Sequence, residues 1–298
     1  NQTIQAGYHN GQGYVKGDAN LVAANIKNGV SIFGVVGSMP KYKEINDVLV
    51  KCDESADYGS YIRALASDGT YLYAGGDTNK VWKINPSTMS KVAEINYGGD
   101  IYALASDGTY LYAGGAKNKV WKINPSTMSK VAEINYGGDI YALASDGTYL
   151  YAGGAKNKVW KINPSTMSKV AEIDYGDYIR ALAFDGTYLY AGGDTNKVWK
   201  INRSNMSKVA ESAYYGGYIY ALAFDGTYLY VGGRSTNKVW KINRSNMTKV
   251  AESVNYGGAI LALASDGTYL YAGGATNKVC WKINPSTMSK VAEIDYGD

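Results

Sequence analysis

An all-β fold built from repeated four-stranded sheets is what this sequence predicts, on three observations. A unit Ile-x-Ala-Leu-Ala-x-Asp-Gly-Thr-Tyr-Leu-Tyr begins at Ile62 and recurs at Ile101, Ile140, Ile179, Ile219 and Ile260, at spacings of 39, 39, 39, 40 and 41 residues. Periods near forty fit propeller blades or helical HEAT and armadillo arrays, so composition and local pattern must decide. The 298 residues include 36 Gly and 29 Tyr against 3 Phe, a balance of turn formers and strand-favouring aromatics. Within each unit short Tyr- or Val-rich runs alternate with turn residues, leaving no room for a ten-residue helix.

In chain order the first element is a Gly-rich segment, residues 1–43. It carries a turn or two of possible helix at Leu21 to Ile26 and an apolar strand at Val30 to Val36. Forty residues rarely bury enough surface to fold alone, so this strand needs a partner chain or the edge of the next domain. The ordered pair Gly7-Tyr8-His9-Asn10-Gly11 and Asn25-Ile26-Lys27-Asn28-Gly29-Val30-Ser31-Ile32-Phe33-Gly34-Val35 resembles a short module of phage tail fibres and phage-like bacteriocin tails, over residues 3 to 40. That resemblance implies a virion tail or extracellular tail-like particle, contact with other tail proteins through residues 1–43, and a homo-oligomer, a trimer being favoured.

Residues 44–298 are then the repeat domain. Lys51-Cys52-Asp53-Glu54-Ser55-Ala56 matches Lys208-Val209-Ala210-Glu211-Ser212-Ala213, so residues 47–56 supply an extra copy of a fourth strand before the first unit. In the unit from Ile101 the predicted strands are Ile101 to Ala105, Tyr110 to Ala113, Val120 to Ile123 and Lys130 to Ile134. Asp107-Gly108-Thr109, a turn carrying Gly114-Gly115, and Asn124-Pro125-Ser126-Thr127 connect them. A lone four-stranded meander cannot cover its two faces, but radial packing of such sheets covers both. Six units make six blades. Both chain ends offer a fourth strand for the last blade, which leaves seven or more blades as the alternative. Blade length and strand order over residues 62 to 298 resemble Tyr-Val-Thr-Asn-type propellers, a likeness that speaks to fold rather than function.

Composition excludes several roles. Lys and Arg number 30 against 26 acids, net +4, and the lysines are spread once or twice per repeat, so no basic stripe exists for nucleic acid. The most apolar stretch outside the repeats, Gly29 to Gly37, is far shorter than the roughly eighteen residues a spanning helix needs, so no membrane insertion is expected. No signal peptide precedes Asn1, which leaves processing, a fragment or another export route. Asn202 and Asn205 fit the glycosylation acceptor pattern, relevant only in a eukaryotic secretory setting.

Catalysis is not expected either. The one histidine, His9, lies outside the repeats, and Asp68, Asp107, Asp146, Asp185, Asp225 and Asp266 occupy the same turn in every unit, as an architectural residue would. Trp82, Trp121, Trp160, Trp199, Trp240 and Trp281 recur once per blade and read as core. No cofactor or metal site is predicted. Cys280 is an insertion between Val279 and Trp281 and should bulge its strand. Its register distance from Cys52 exceeds disulfide reach, so two free thiols are expected.

Differences between the repeats mark the candidate ligand site. The lead-in to strand one and the turn between strands two and three share one rim, and there the units diverge. The candidates are Tyr61, Arg63, Asp77, Tyr102, Tyr141, Tyr178, Arg180, Asp194, Tyr218, Tyr220 and Arg234. Aromatic faces with Arg and Asp suit a bacterial surface glycan or protein. Blades one and four share Tyr-Ile-Arg and Gly-Gly-Asp-Thr across the axis, so a ligand touching Arg63 and Arg180 together would be anionic. Receptor binding is the function this predicts. A structural tail or baseplate scaffold is the alternative, and a polysaccharide-degrading enzyme a more distant one.

Overall fold

A computed structural model describes residues 31–32, 35–36, 54–275 and 279–295. The chain divides into two units, Asn1–Leu49 and Val50–Asp298. In the first, the expected single strand is instead two two-residue strands, Ser31–Ile32 and Val35–Val36, paired antiparallel with each other. Phe33-Gly34 stand between them, and glycine is favoured in so short a connection. The expected helix at Leu21 to Ile26, His9, Cys52 and most of the 47–56 strand copy lie outside the described residues.

The second unit is a β-propeller of six four-stranded antiparallel blades, each a meander in chain order. In blade two the strands are Ile101–Ser106, Leu111–Gly115, Lys119–Asn124 and Ser129–Asn135. Gly114 and Gly115 therefore end the second strand instead of forming the turn, which is Ala116-Lys117-Asn118. The first strands of consecutive blades pack side by side around the axis.

Each blade junction reuses one set of side chains. Between blades one and two, Ile101, Leu104, Leu111, Ala113 and Ile123 of the second blade pack on Tyr73, Val81, Ala64 and Ala66 of the first. The same cluster recurs at the next four junctions. A Cβ on Gly75, Gly114, Gly153, Gly192 or Gly232 would press on the isoleucine of the following blade, so glycine there lets sheets approach closely. Tyrosine from the end of one blade meets tryptophan of the next at a steep tilt, as in Tyr97–Trp121 and Tyr136–Trp160, each at 4.9 Å and 60°.

Lysines also join blades, a role their even spacing did not reveal. Lys83, Lys122, Lys161, Lys200 and Lys241 are carried on third strands and donate at 2.7–2.8 Å to the carbonyls of Pro125, Pro164, Arg203, Arg244 and Pro285 in the next blade. Each ammonium also lies over a tyrosine ring, as Lys122 does over Tyr110 at 3.7 Å. Burial pushes the ammoniums of Lys161 and Lys200 below their ordinary value of 10.5. The methionine after each third turn (Met89, Met128, Met167, Met206, Met247, Met288) has positive φ of 49–59°, unusual for a side chain of this size. Burial of Met128, Met167, Met206, Met247 and Met288 offsets that strain.

Cys280 causes no bulge. It pairs with Gly273 and Ile294 in the place that Val81 holds opposite Gly75 and Ile95 in blade one. The extra residue is absorbed in the preceding connection, four residues between strands instead of three, where the ladder imposes no register. The strand beside it is Lys290–Asp295, so the outer place of blade six belongs to that segment. Cys280 is a free thiol, and burial pushes it above the usual thiol range.

Buried and half-buried tyrosines set an alkaline limit. Burial, then the hydrogen bond to Asp266, pushes Tyr271 up to about 12; burial alone dominates for Tyr215, also at about 12, and Tyr73, Tyr112 and Tyr151 stand higher still. A phenol whose folded value exceeds its unfolded value of 10 contributes stability that is complete below pH 10 and lost as pH rises toward 12. We expect phenolate absorbance from these residues to appear together with loss of circular dichroism in that window. Smooth titration of every tyrosine near pH 10 with the fold intact would contradict this.

Candidate functional site

Opposite rims of the propeller do different work. On one, each Asp-Gly-Thr turn is closed by its aspartate. Asp107 accepts from the amides of Thr109 (2.8 Å) and Tyr110 (2.7 Å) through one oxygen and from the hydroxyl of Tyr112 (2.6 Å) through the other. The pattern repeats at Asp68, Asp146, Asp185, Asp225 and Asp266. These carboxylates are committed to the architecture. The change from Asn-Pro-Ser-Thr to Asn-Arg-Ser-Asn on this rim adds a link between blades: Arg203 donates to Asp146 (2.8 Å) and Arg244 to Asp185 (3.2 Å), each in the preceding blade.

On the other rim, the variable positions are tied in pairs. The amides of Asp77, Ala116, Ala155, Asp194, Arg234 and Ala275 donate to the carbonyls of Tyr61, Asp100, Asp139, Tyr178, Tyr218 and Ala259 at 2.9–3.1 Å. The second glycine of each Gly-Gly makes this possible, since a Cβ on Gly115 or Gly154 would overlap the accepting carbonyl of Asp100 or Asp139. The backbone is thus held constant while side chains change on it.

The candidate residues form a continuous arc. Arg63 lies near the rings of Tyr61 (5.9 Å) and Tyr102 (5.8 Å). Tyr102 meets Tyr141 at 5.6 Å, and Tyr141 meets Tyr178 at 6.1 Å. Arg180 sits among Tyr141, Tyr178, Tyr218 and Tyr220, with its guanidinium carbon 5.3–5.8 Å from each ring centre. Tyr61, Tyr178 and Tyr218 are exposed, Tyr102, Tyr141 and Tyr220 half-buried. Arg234 is exposed on the same rim, at the turn of blade five.

Sequence reasoning missed one relation. Arg63 forms a bidentate ion pair with Asp77 of its own blade, and Arg180 forms the same pair with Asp194. The carboxylate partner holds each guanidinium above its ordinary value. The signal was present in the repeats: Arg at the second position of strand one occurs only where the turn fourteen residues on carries Asp, in blades one and four. Blades two and three pair Tyr102 and Tyr141 with Ala116 and Ala155 instead. Each arginine is thus already neutralised within its own blade, packed in its own part of the arc.

Among the described residues no three His, Cys, Asp or Glu side chains converge as a metal site would require. No helix is long and apolar enough to cross a membrane. Two surface recesses lie away from the arc, one lined by Tyr228, Asn243 and Arg244, the other by Tyr97, Lys117, Trp121, Lys130 and Glu133. Compared with known proteins, the chain matches no family model and no curated protein.

Proposed function

We propose that this protein is a phage-tail-type receptor-binding protein whose propeller grips a bacterial surface glycan along the Tyr–Arg arc. The observation that carries the reading is the arc itself: rings from successive blades within 5.3–6.1 Å of one another or of a guanidinium, on the rim where the repeats diverge. Tyrosine faces stack on the apolar faces of sugar rings, and an arginine held bidentately by aspartate keeps N–H donors for hydroxyl groups. Because Asp77 and Asp194 already neutralise Arg63 and Arg180, the favoured ligand is an uncharged glycan rather than an anionic one. Weak individual sites gain avidity once several copies are linked, which suits a fibre tip.

The test is binding of the purified chain to a bacterial glycan array and to intact cells. Saturable binding that Tyr102→Ala/Tyr141→Ala weakens by roughly tenfold or more is the expected result, the scale of loss typical of a buried aromatic anchor. Arg63→Ala and Arg180→Ala should weaken it less than either tyrosine change. A folded chain that binds neither array nor cells would move the reading to a scaffold among tail proteins, and turnover of the polysaccharide would move it to an enzyme.

A further inference from the structure

The propeller has a seam. Ile101, Ile140, Ile179, Ile219 and Ile260 are fully buried against the preceding blade, yet Ile62 is 45% exposed and Leu65 is 67% exposed, against 8% for Leu104. On the sixth blade the matching surface is equally open. Among the described residues a Cβ on Gly273 would have nothing within 4 Å, whereas each of its five counterparts meets an isoleucine. Ala262 and Ala264 are exposed where Ala103 and Ala105 are buried. Among the described residues blade one carries half of a junction cluster, Tyr58, Ala74, Trp82 and Ile84 with Leu72 and Met89, without the half that a preceding blade supplies elsewhere.

A second, polar observation agrees. Lys282 is only 4% exposed and lies over Tyr269 at 3.8 Å, as its counterparts lie over their tyrosines. Those five counterparts donate to a carbonyl of the next blade, and among the described residues Lys282 has no such acceptor. The missing acceptor is the point of agreement: the ammonium keeps hydrogen-bond donors that a third-turn carbonyl of a further blade would meet.

We propose that the seam is a docking site for one more blade of this same repeat, seated between blades six and one. What covers these surfaces is written five times in the chain, because every internal junction mates a face like that of blade six with a face like that of blade one. The occupant presents Ile and Leu to Gly273, a third-turn carbonyl to Lys282, and Gly, Ala and Tyr to Ile62 and Leu65.

Cys280 reads the sixth-blade face and Leu65→Cys the first-blade face, both in a Cys52→Ser chain. Maleimide labelling should modify both thiols in the six-bladed monomer. Appending a second copy of residues Tyr178–Gly216 after Asp298 should slow both reactions by at least about tenfold, as sub-global protection does, with a raised melting temperature and an unchanged number of chains per particle. Three results would overturn the proposal. Protection of both thiols in the six-bladed monomer would mean that blades six and one close on each other. Protection that arises with a doubled number of chains per particle would mean that a second copy fills the seam. Unchanged labelling in the extended chain would mean that the faces accept no blade.

Discussion

Replacing Asp146 by alanine is expected to destabilise blade three by about 3–5 kcal/mol, the sum of lost charge-assisted hydrogen bonds and a buried phenol left without its partner. The side chain of Asp146 is fully buried and accepts from Thr148, Tyr149, Tyr151 and Arg203. Burial by itself would raise its pKa, but the Tyr149 amide, Arg203, the Tyr151 hydroxyl and the Thr148 amide together hold it below the ordinary 3.8. A carboxylate whose folded pKa is depressed stabilises the fold above its unfolded value, and that stability is lost as pH falls through the folded value. Wild type should therefore lose stability below about pH 4 with a steeper dependence than Asp146→Ala.

Asp266→Ala provides the control. Asp266 makes the same turn bonds, but it is exposed in the last blade and its phenolic partner Tyr271 is only half-buried. Its loss is expected to cost about 1–2 kcal/mol, since water can replace the missing acceptor. Hydrogen exchange at the amides following each aspartate, together with urea unfolding, measures both. Equal costs at the two positions would mean that the turn, and not the buried phenol, dominates.

Gly154→Ala is expected to cost about 3 kcal/mol or more, at the upper end of overpacking costs. Its Cβ would overlap the Asp139 carbonyl, which accepts the Ala155 amide at 2.9 Å, and backbone on both sides leaves nothing flexible to yield. Gly147→Ala serves as comparison. Gly147 has φ of +80° but open space around it, so alanine there costs only the left-handed strain, about 1–2 kcal/mol. Melting temperatures should rank wild type above Gly147→Ala and Gly147→Ala above Gly154→Ala. Reversal of the last two would show that positive φ, not the close carbonyl, is what demands glycine in this blade.

The sequence by itself determined the repeat, four strands per unit, the aspartate turns and the rim on which the blades diverge. Such features rest on local chemistry, on period-two alternation, glycine at positive φ and carboxylates that cap their own turns, and they can be read without knowing a neighbour. Only the tertiary structure decided which side chains join one blade to the next. Lys83 and its copies look like surface charges until the next blade supplies a carbonyl. Arg63 and Arg180 look like free anion binders until the second hairpin folds back and sets Asp77 and Asp194 against them. The quiet absorption of the extra residue before Cys280 depends on pairing partners, Gly273 and Ile294, that lie outside the segment being read, and the split of the N-terminal strand on Ser31 and Ile32 folding back onto Val36 and Val35. The open seam is the clearest case: identical repeats predict identical burial, and only the arrangement of blades in space leaves Ile62 and Leu65 uncovered, because burial belongs to the pair of faces and not to either sequence alone.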